Sequence, residues 1–249
     1  MRLLALFGLL FAAAAAATAG LAGLRSAPGS GLEQVRSPAR PAVASDAPEG
    51  TVSRGGEAGN RPDRDSSPAP RIQWRDSVAV GTHSAGRLEG GVLLPAEGRG
   101  WFTWDPILRR TPNRPWRRWG SDRLLRATLT VLRRFRQANP AAPRVAVGDL
   151  SRPHGGDFGP RFGSIGHASH QNGLDVDVYY PRRDRRLRPP DGPGQVNPDL
   201  AQDLVDLFVA AGAEQVFVGP GLDLTGPAGI VVPLVNHDNH LHARVPLDR

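Results

Sequence analysis

Beyond residue 71 the apolar positions fall into short separate patterns, each with its own punctuation. Between Gly81 and Trp104 brief apolar runs alternate with glycine, a spacing that predicts hairpins or an extended arm. Ser121 can cap a helix whose apolar positions Leu124, Leu125, Val131, Leu132 and Phe135 share one face, with Asn139-Pro140 ending it. Arg144–Asp149 and Gly173–Tyr180 read as strands. Asn197-Pro198 opens a second helix, with Leu200, Leu204, Leu207, Phe208 and Ala211 on one stripe and Gly212 closing it. Gln215–Val218, Ile230–Val235 and His240–Val245 are three further strands. Strands and helices mixed in this order predict a small α+β domain with a mixed or antiparallel sheet and flanking helices.

The chain before this domain reads differently. Arg2 precedes an apolar run from Leu3 to Leu24, and Ala17-Thr18-Ala19 has the small-x-small form of a signal-peptidase site. Residues 1–24 are therefore expected to be an export signal. A run of this length also meets the requirement for spanning a bilayer, so an uncleaved membrane anchor over residues 3–24 is the competing expectation. Residues 25–71 are rich in Pro, Gly, Ala, Ser and charge, with few large apolar side chains; such a segment buries too little to offset its chain entropy and is expected to be a disordered linker. The folded domain is then 72–249, and the protein is expected in the periplasm or cell envelope.

Composition narrows the chemistry. The 249 residues include no cysteine, so disulfides, thiolate metal sites and a cysteine nucleophile are excluded. Every basic residue among the 31 is arginine, which excludes lysine general bases and Schiff-base chemistry. The net charge of +7 invites a nucleic-acid partner, but 8 Arg and 6 acids precede residue 72, leaving a domain of only +5. With an export signal and no nucleic-acid-binding motif, no nucleic-acid partner is expected.

The histidines carry the strongest signal. Six of the seven lie in two short segments, His154, His167 and His170 in one and His237, His240 and His242 in the other, with Asp175 and Asp177 just after the first. Scattered polar or core histidines do not concentrate in this way. Imidazole nitrogen and carboxylate oxygen are the ligands of zinc when no thiolate exists, and a catalytic zinc keeps three of them with an open fourth position. Side chains alternate along a strand, so Asp175 and Asp177 share one face, as do His240, His242 and Arg244. Gly173 lets the chain bend between His170 and its strand.

His167-Ala-Ser-His170-Gln-Asn-Gly173-Leu-Asp175-Val-Asp177 followed by His237-Asp-Asn-His240-Leu-His242-Ala-Arg244 resembles the penicillin-insensitive murein endopeptidases. These belong to the zinc peptidase group of lysostaphin, the D-alanyl-D-alanine peptidases and the Hedgehog signalling domain. The motifs span Arg144–Val245, and nothing specific matches between Ile72 and Pro143. The resemblance implies a Hedgehog/D-alanyl-D-alanine peptidase-like fold and one Zn²⁺ per chain held by His170, Asp177 and His242, with His240 as general base or electrostatic partner. The chain departs from some members in lacking cysteines.

On this reading, zinc lowers the pKa of a bound water from about 15.7 to about 7 and polarises the scissile carbonyl, while a neighbouring imidazole moves the proton. His167 and His237 are expected to hydrogen-bond ligands or substrate, Asp175 to orient a ligand or bind a substrate amine, and Arg161 to hold a substrate carboxylate or the oxyanion. His154 and Asp157 are expected to line the cleft, the Arg182–Arg188 run to be a solvated loop, and His83 to be structural. The implied activity is hydrolysis of peptide bonds in peptidoglycan stems or cross-links, the substrate being the peptidoglycan itself. The alternatives are a D,D- or L,D-carboxypeptidase or dipeptidase of the same polymer and a non-catalytic zinc-binding module.

Overall fold

The structure, a computed structural model, describes residues 71–159 and 167–247. All of them fall within one unit of the chain, Asn60–Arg249. The expected leader at 1–24, most of the expected linker at 25–71 and Arg161 lie outside the described residues. Among the described residues no helix is long and apolar enough to cross a membrane.

The strands are β1 (Val78–Thr82), β2 (Ala85–Glu89), β3 (Val92–Leu93), β4 (Glu97–Gly98), β5 (Trp101–Thr103), β6 (Trp119–Gly120), β7 (Val145–Val147), β8 (Asp175–Tyr179), β9 (Gln215–Val218), β10 (Val231–Pro233) and β11 (His240–Arg244), with helices α1 (Asp122–Ala138) and α2 (Pro198–Ala210). β1 and β2 form the antiparallel hairpin that the glycine spacing predicts. The main sheet runs β10-β9-β11-β8-β7-β5-β4. Its β10–β9 and β5–β7 pairs are parallel and the others antiparallel, so the sheet is mixed and the fold is α+β.

Alternation along the central strands divides the sheet into two faces. Val176, Val178, Val216, Val218, Leu241 and Ala243 are buried in the main core with Leu124, Leu132 and Phe135 of α1 and Leu204 and Phe208 of α2. At about 25 cal/mol per Å², closing this layer is the main stabilising term of the domain. The intervening residues Asp175, Asp177, Tyr179, His240, His242 and Arg244 face the other way. α1 is capped as expected: Ser121 Oγ accepts from Leu124 N at 3.1 Å, while Ser121 N donates to Gly173 O at 2.8 Å, tying the helix start to the approach to β8. Gly173 has φ +77°, and a Cβ there would meet Leu88 Cδ1 at 2.8 Å and Ser121 N at 3.0 Å, so the bend needs glycine.

Candidate metal centre

Register brings the two motif segments together. β11 pairs with β8 so that His242 stands opposite Asp177, His240 opposite Tyr179 and Arg244 opposite Asp175. His170 arrives from the loop before β8. Its φ of +67° is uncommon for a residue with a Cβ, and the conformation is held because His170 N donates to Asp175 Oδ2 at 2.9 Å and Gln171 N donates to His83 O at 3.0 Å.

The imidazoles of His170, His242 and His240 each have one nitrogen engaged and the other turned to Asp177. His170 Nδ1 lies 2.6 Å from Leu150 O, an acceptor only, so Nδ1 carries the hydrogen and Nε2 keeps its lone pair. That Nε2 is 3.3 Å from Asp177 Oδ1. Both atoms are buried with no hydrogen-bond partner. His242 Nε2 lies 3.1 Å from Asp175 Oδ1, leaving Nδ1 3.2 Å from Asp177 Oδ1. His240 Nδ1 contacts Asn239 Oδ1 at 2.6 Å, and its Nε2 is 3.8 Å from Asp177 Oδ1. His167 approaches the other oxygen, with Nε2 3.9 Å from Asp177 Oδ2. Among the described residues His167, His170 and Asp177 form a group whose ligand atoms lie within 4.8 Å of one another. Orphaned buried nitrogen and oxygen atoms, with the His170 and His242 rings each fixed by an acceptor on the far side, fit a divalent cation of zinc's preferences.

Residues 79–192 match the family model of the penicillin-insensitive murein endopeptidases. Two curated proteins of that name are similar to this chain, each 33% identical: one from Haemophilus influenzae over 102 residues, and one from Yersinia enterocolitica over 128 residues. The matches cover 40% and 41% of this chain. The chain resembles this family. It spans 30% and 44% of the length of these two relatives. The segment matched by the model includes His167, His170, Asp175 and Asp177 and extends well upstream of Arg144, where the sequence motifs begin; it stops short of His237, His240 and His242.

The environment sets the charge of each group. Burial opposes ionisation of Asp177, but His170 and His242 beside it hold its carboxyl well below the usual range. Burial pushes the His240 imidazole down to about 4 against the pull of Asp177, so it is neutral at pH 7. Burial also works against the charged form of His242, and hydrogen bonds to Asp175 and Asp177 outweigh it, raising the ring to about 9. A cation bound at Nδ1 would displace that proton.

A cleft of about 910 Å³ opens over these residues, lined by His167, Asp177, His237, His240 and His242 with Tyr179, Phe217 and Arg244. His237 reaches it from the loop before β11, its ring 4.8 Å from that of His240 and its Nδ1 2.9 Å from Val235 O. At the mouth Asp191 pairs with Arg109 at 2.9 Å and Arg188 at 3.1 Å.

Several expectations need correction. Asp175 does not meet a substrate amine: it is fully buried, surrounded by His242, His170 N, Arg244 Nε at 3.0 Å and His83 Nδ1 at 3.3 Å. The β1–β2 turn that carries His83 covers it, and its Oδ1 lies 3.1 Å from His242 Nε2. His154 and Asp157 are exposed and lie outside the lining of the cleft. Arg182 is not solvated but buried, donating to Asp184 at 2.7 Å. Asp149, Arg117 and Asn113, which the sequence reading missed, form a buried cluster against His167. Asp149 lies just past β7, at the end of the run RVAVGD that the sequence predicts as a strand, the one local hint of it.

Proposed function

We propose that this chain is an exported zinc metallopeptidase that hydrolyses peptide bonds in peptidoglycan stems or cross-links. The observation that carries the reading is the convergence of His170 Nε2 and His242 Nδ1 on Asp177 Oδ1 at 3.3 and 3.2 Å. His170, Asp177 and His242 would hold one zinc ion. When bound, zinc supplies a Lewis acid that polarises a carbonyl and acidifies water. His240, held neutral with Nε2 facing the centre, accepts the proton of the attacking water. Its low basicity then makes the imidazolium a strong acid, suited to protonating the leaving amine. The names of the two relatives support murein as substrate. Arg109 and Arg188, which share the single carboxylate of Asp191 beside the cleft, suit stem peptides that carry free carboxylates.

The same reading keeps residues 1–24 as an export signal or anchor, 25–71 as a linker and 72–249 as a catalytic domain of the D-alanyl-D-alanine peptidase and Hedgehog type, and keeps for Arg161 the role of holding a substrate carboxylate or the oxyanion. Digestion of isolated sacculi, followed by mass analysis of the soluble fragments, tests the activity. Cross-linked dimers should convert to monomers, and a chelator should stop the conversion. Release of single terminal amino acids would show a carboxypeptidase instead, and unchanged sacculi would show a non-catalytic module.

A further inference from the structure

His167 is fixed from behind by a carboxylate that takes no part in the reading above. Asp149 follows β7 and is fully buried, with four N–H donors around its two oxygens. On Oδ1 it accepts from Arg117 Nε at 2.6 Å and Asn113 Nδ2 at 2.9 Å. On Oδ2 it accepts from Arg117 Nη2 and from His167 Nε2, the latter at 2.8 Å. Arg117 is itself buried, its guanidinium over Trp116 at 4.9 Å and Phe158 at 5.2 Å. The backbone ties this carboxylate to the strand of the metal centre: Asp177 N donates to Asp149 O at 2.9 Å and Gly148 N to Asp177 O at 2.8 Å. The His167 ring packs edge-on against Phe158 at 5.3 Å and lies 4.4 Å from the His170 ring.

An ionised carboxylate only accepts, so the nitrogen facing it must carry a hydrogen. With Nε2–H spent on Asp149, Nδ1 is the nitrogen His167 has left for the cleft it lines. We propose that Asp149, braced by Arg117 and Asn113, is a positioning residue for hydrolysis: it fixes the tautomer and direction of His167 so that Nδ1 meets the substrate. The arrangement has the logic of an aspartate that orients a catalytic histidine. It rests on the cleft being a peptidase site, and its first test does not.

An asparagine at 149 keeps one acceptor oxygen and sets an NH₂ against donors, so His167 would have to turn a lone pair at Nε2 toward it and move the hydrogen to Nδ1. The experiment is nitrogen-detected NMR of the histidine rings in the zinc-loaded full chain, at alkaline pH where the ring is neutral, beside hydrolysis of purified muropeptide dimers. The wild type should show His167 protonated at Nε2, and Asp149→Asn should show the hydrogen at Nδ1. The variant should keep its zinc, lose about tenfold or more in kcat and hold KM within about twofold. In a His167→Ala background, Asp149→Asn should change kcat by less than about twofold, since the residues act as one unit. A wild-type ring protonated at Nδ1 overturns the proposal, and so does an equal loss of kcat with and without His167. If Asp149→Asn fails to fold, the wild-type tautomer decides alone. Zinc-loaded wild type that leaves dimers intact would sink the peptidase reading and leave the tautomer result standing.

Discussion

At the scale of single residues, the centre works by giving the two nitrogens of each histidine different tasks. Leu150 O, Asn239 Oδ1 and Asp175 Oδ1 each take one ring nitrogen of His170, His240 and His242, and the other is aimed at Asp177. Such partners set ring orientation and ligand basicity as much as the ligands themselves do. His240 differs from His170 and His242 in standing farther from Asp177, at 3.8 Å against 3.3 and 3.2 Å. His240→Ala should therefore retain about one equivalent of zinc while losing about 100-fold or more in turnover of muropeptide dimers. Metal analysis beside a turnover assay checks this, and loss of the metal would reassign His240 as a ligand. The histidine clusters are legible in the sequence from their local density, and the Asp175/Asp177 and His240/His242 pairs from strand periodicity. Alternation puts both aspartates on one face, but it does not say which is covered. That is decided by His83, which is 92 residues away in the chain and 3.3 Å away in space.

At the scale of elements, both helices and the strands from β7 to β11 follow from periodicity, caps and glycine or proline punctuation. The first turn of α1 is a joint between the helix and the site, because Ser121 caps the helix with its side chain and bonds Gly173 with its backbone. Ser121→Ala should destabilise the domain by about 1 kcal/mol, read as a lower midpoint in urea with an unchanged slope. No change in midpoint would mean the cap adds nothing to packing. The stretches at 105–118 and 181–196 show no periodicity, and beyond the arginine run at 182–188 the sequence predicts nothing about them. Their shape is set by side chains bonding to backbone: Asp105 Oδ1 accepts from Ile107 N and Leu108 N, both at 2.9 Å. Asp149 was hidden for the same reason. Its cation, Arg117, lies 32 residues away among many arginines.

At the scale of the whole molecule, the absence of cysteine restricts any metal to imidazole and carboxylate, and the excess of arginine is partly consumed internally. Arg117 and Arg244 are spent on the buried carboxylates of Asp149 and Asp175, and the buried Arg182 on Asp184, so the surface field is weaker than the composition suggests. Buried acids also set the acid limit of stability. Burial alone would raise the Asp149 carboxyl, but Arg117 and His167 bring it down to about 2 from an ordinary value of 3.8. On acidification the unfolded chain takes up this proton first, so stability present above about pH 4 is lost as the pH falls toward 2. Asp149 alone contributes about 2 kcal/mol to that loss. Asp175 and Asp177, also held well below the usual range, add to it. Urea unfolding of chelator-treated protein at pH 6, 4 and 3 should show this decline, and a flat profile would contradict the ion pairing. The most direct test of the account as a whole is anomalous scattering at the zinc edge from crystals of the zinc-loaded protein. One peak should appear, about 2.0–2.2 Å from His170 Nε2, His242 Nδ1 and a carboxylate oxygen of Asp177. A peak held by other residues, or none in protein that still cleaves murein, would contradict it.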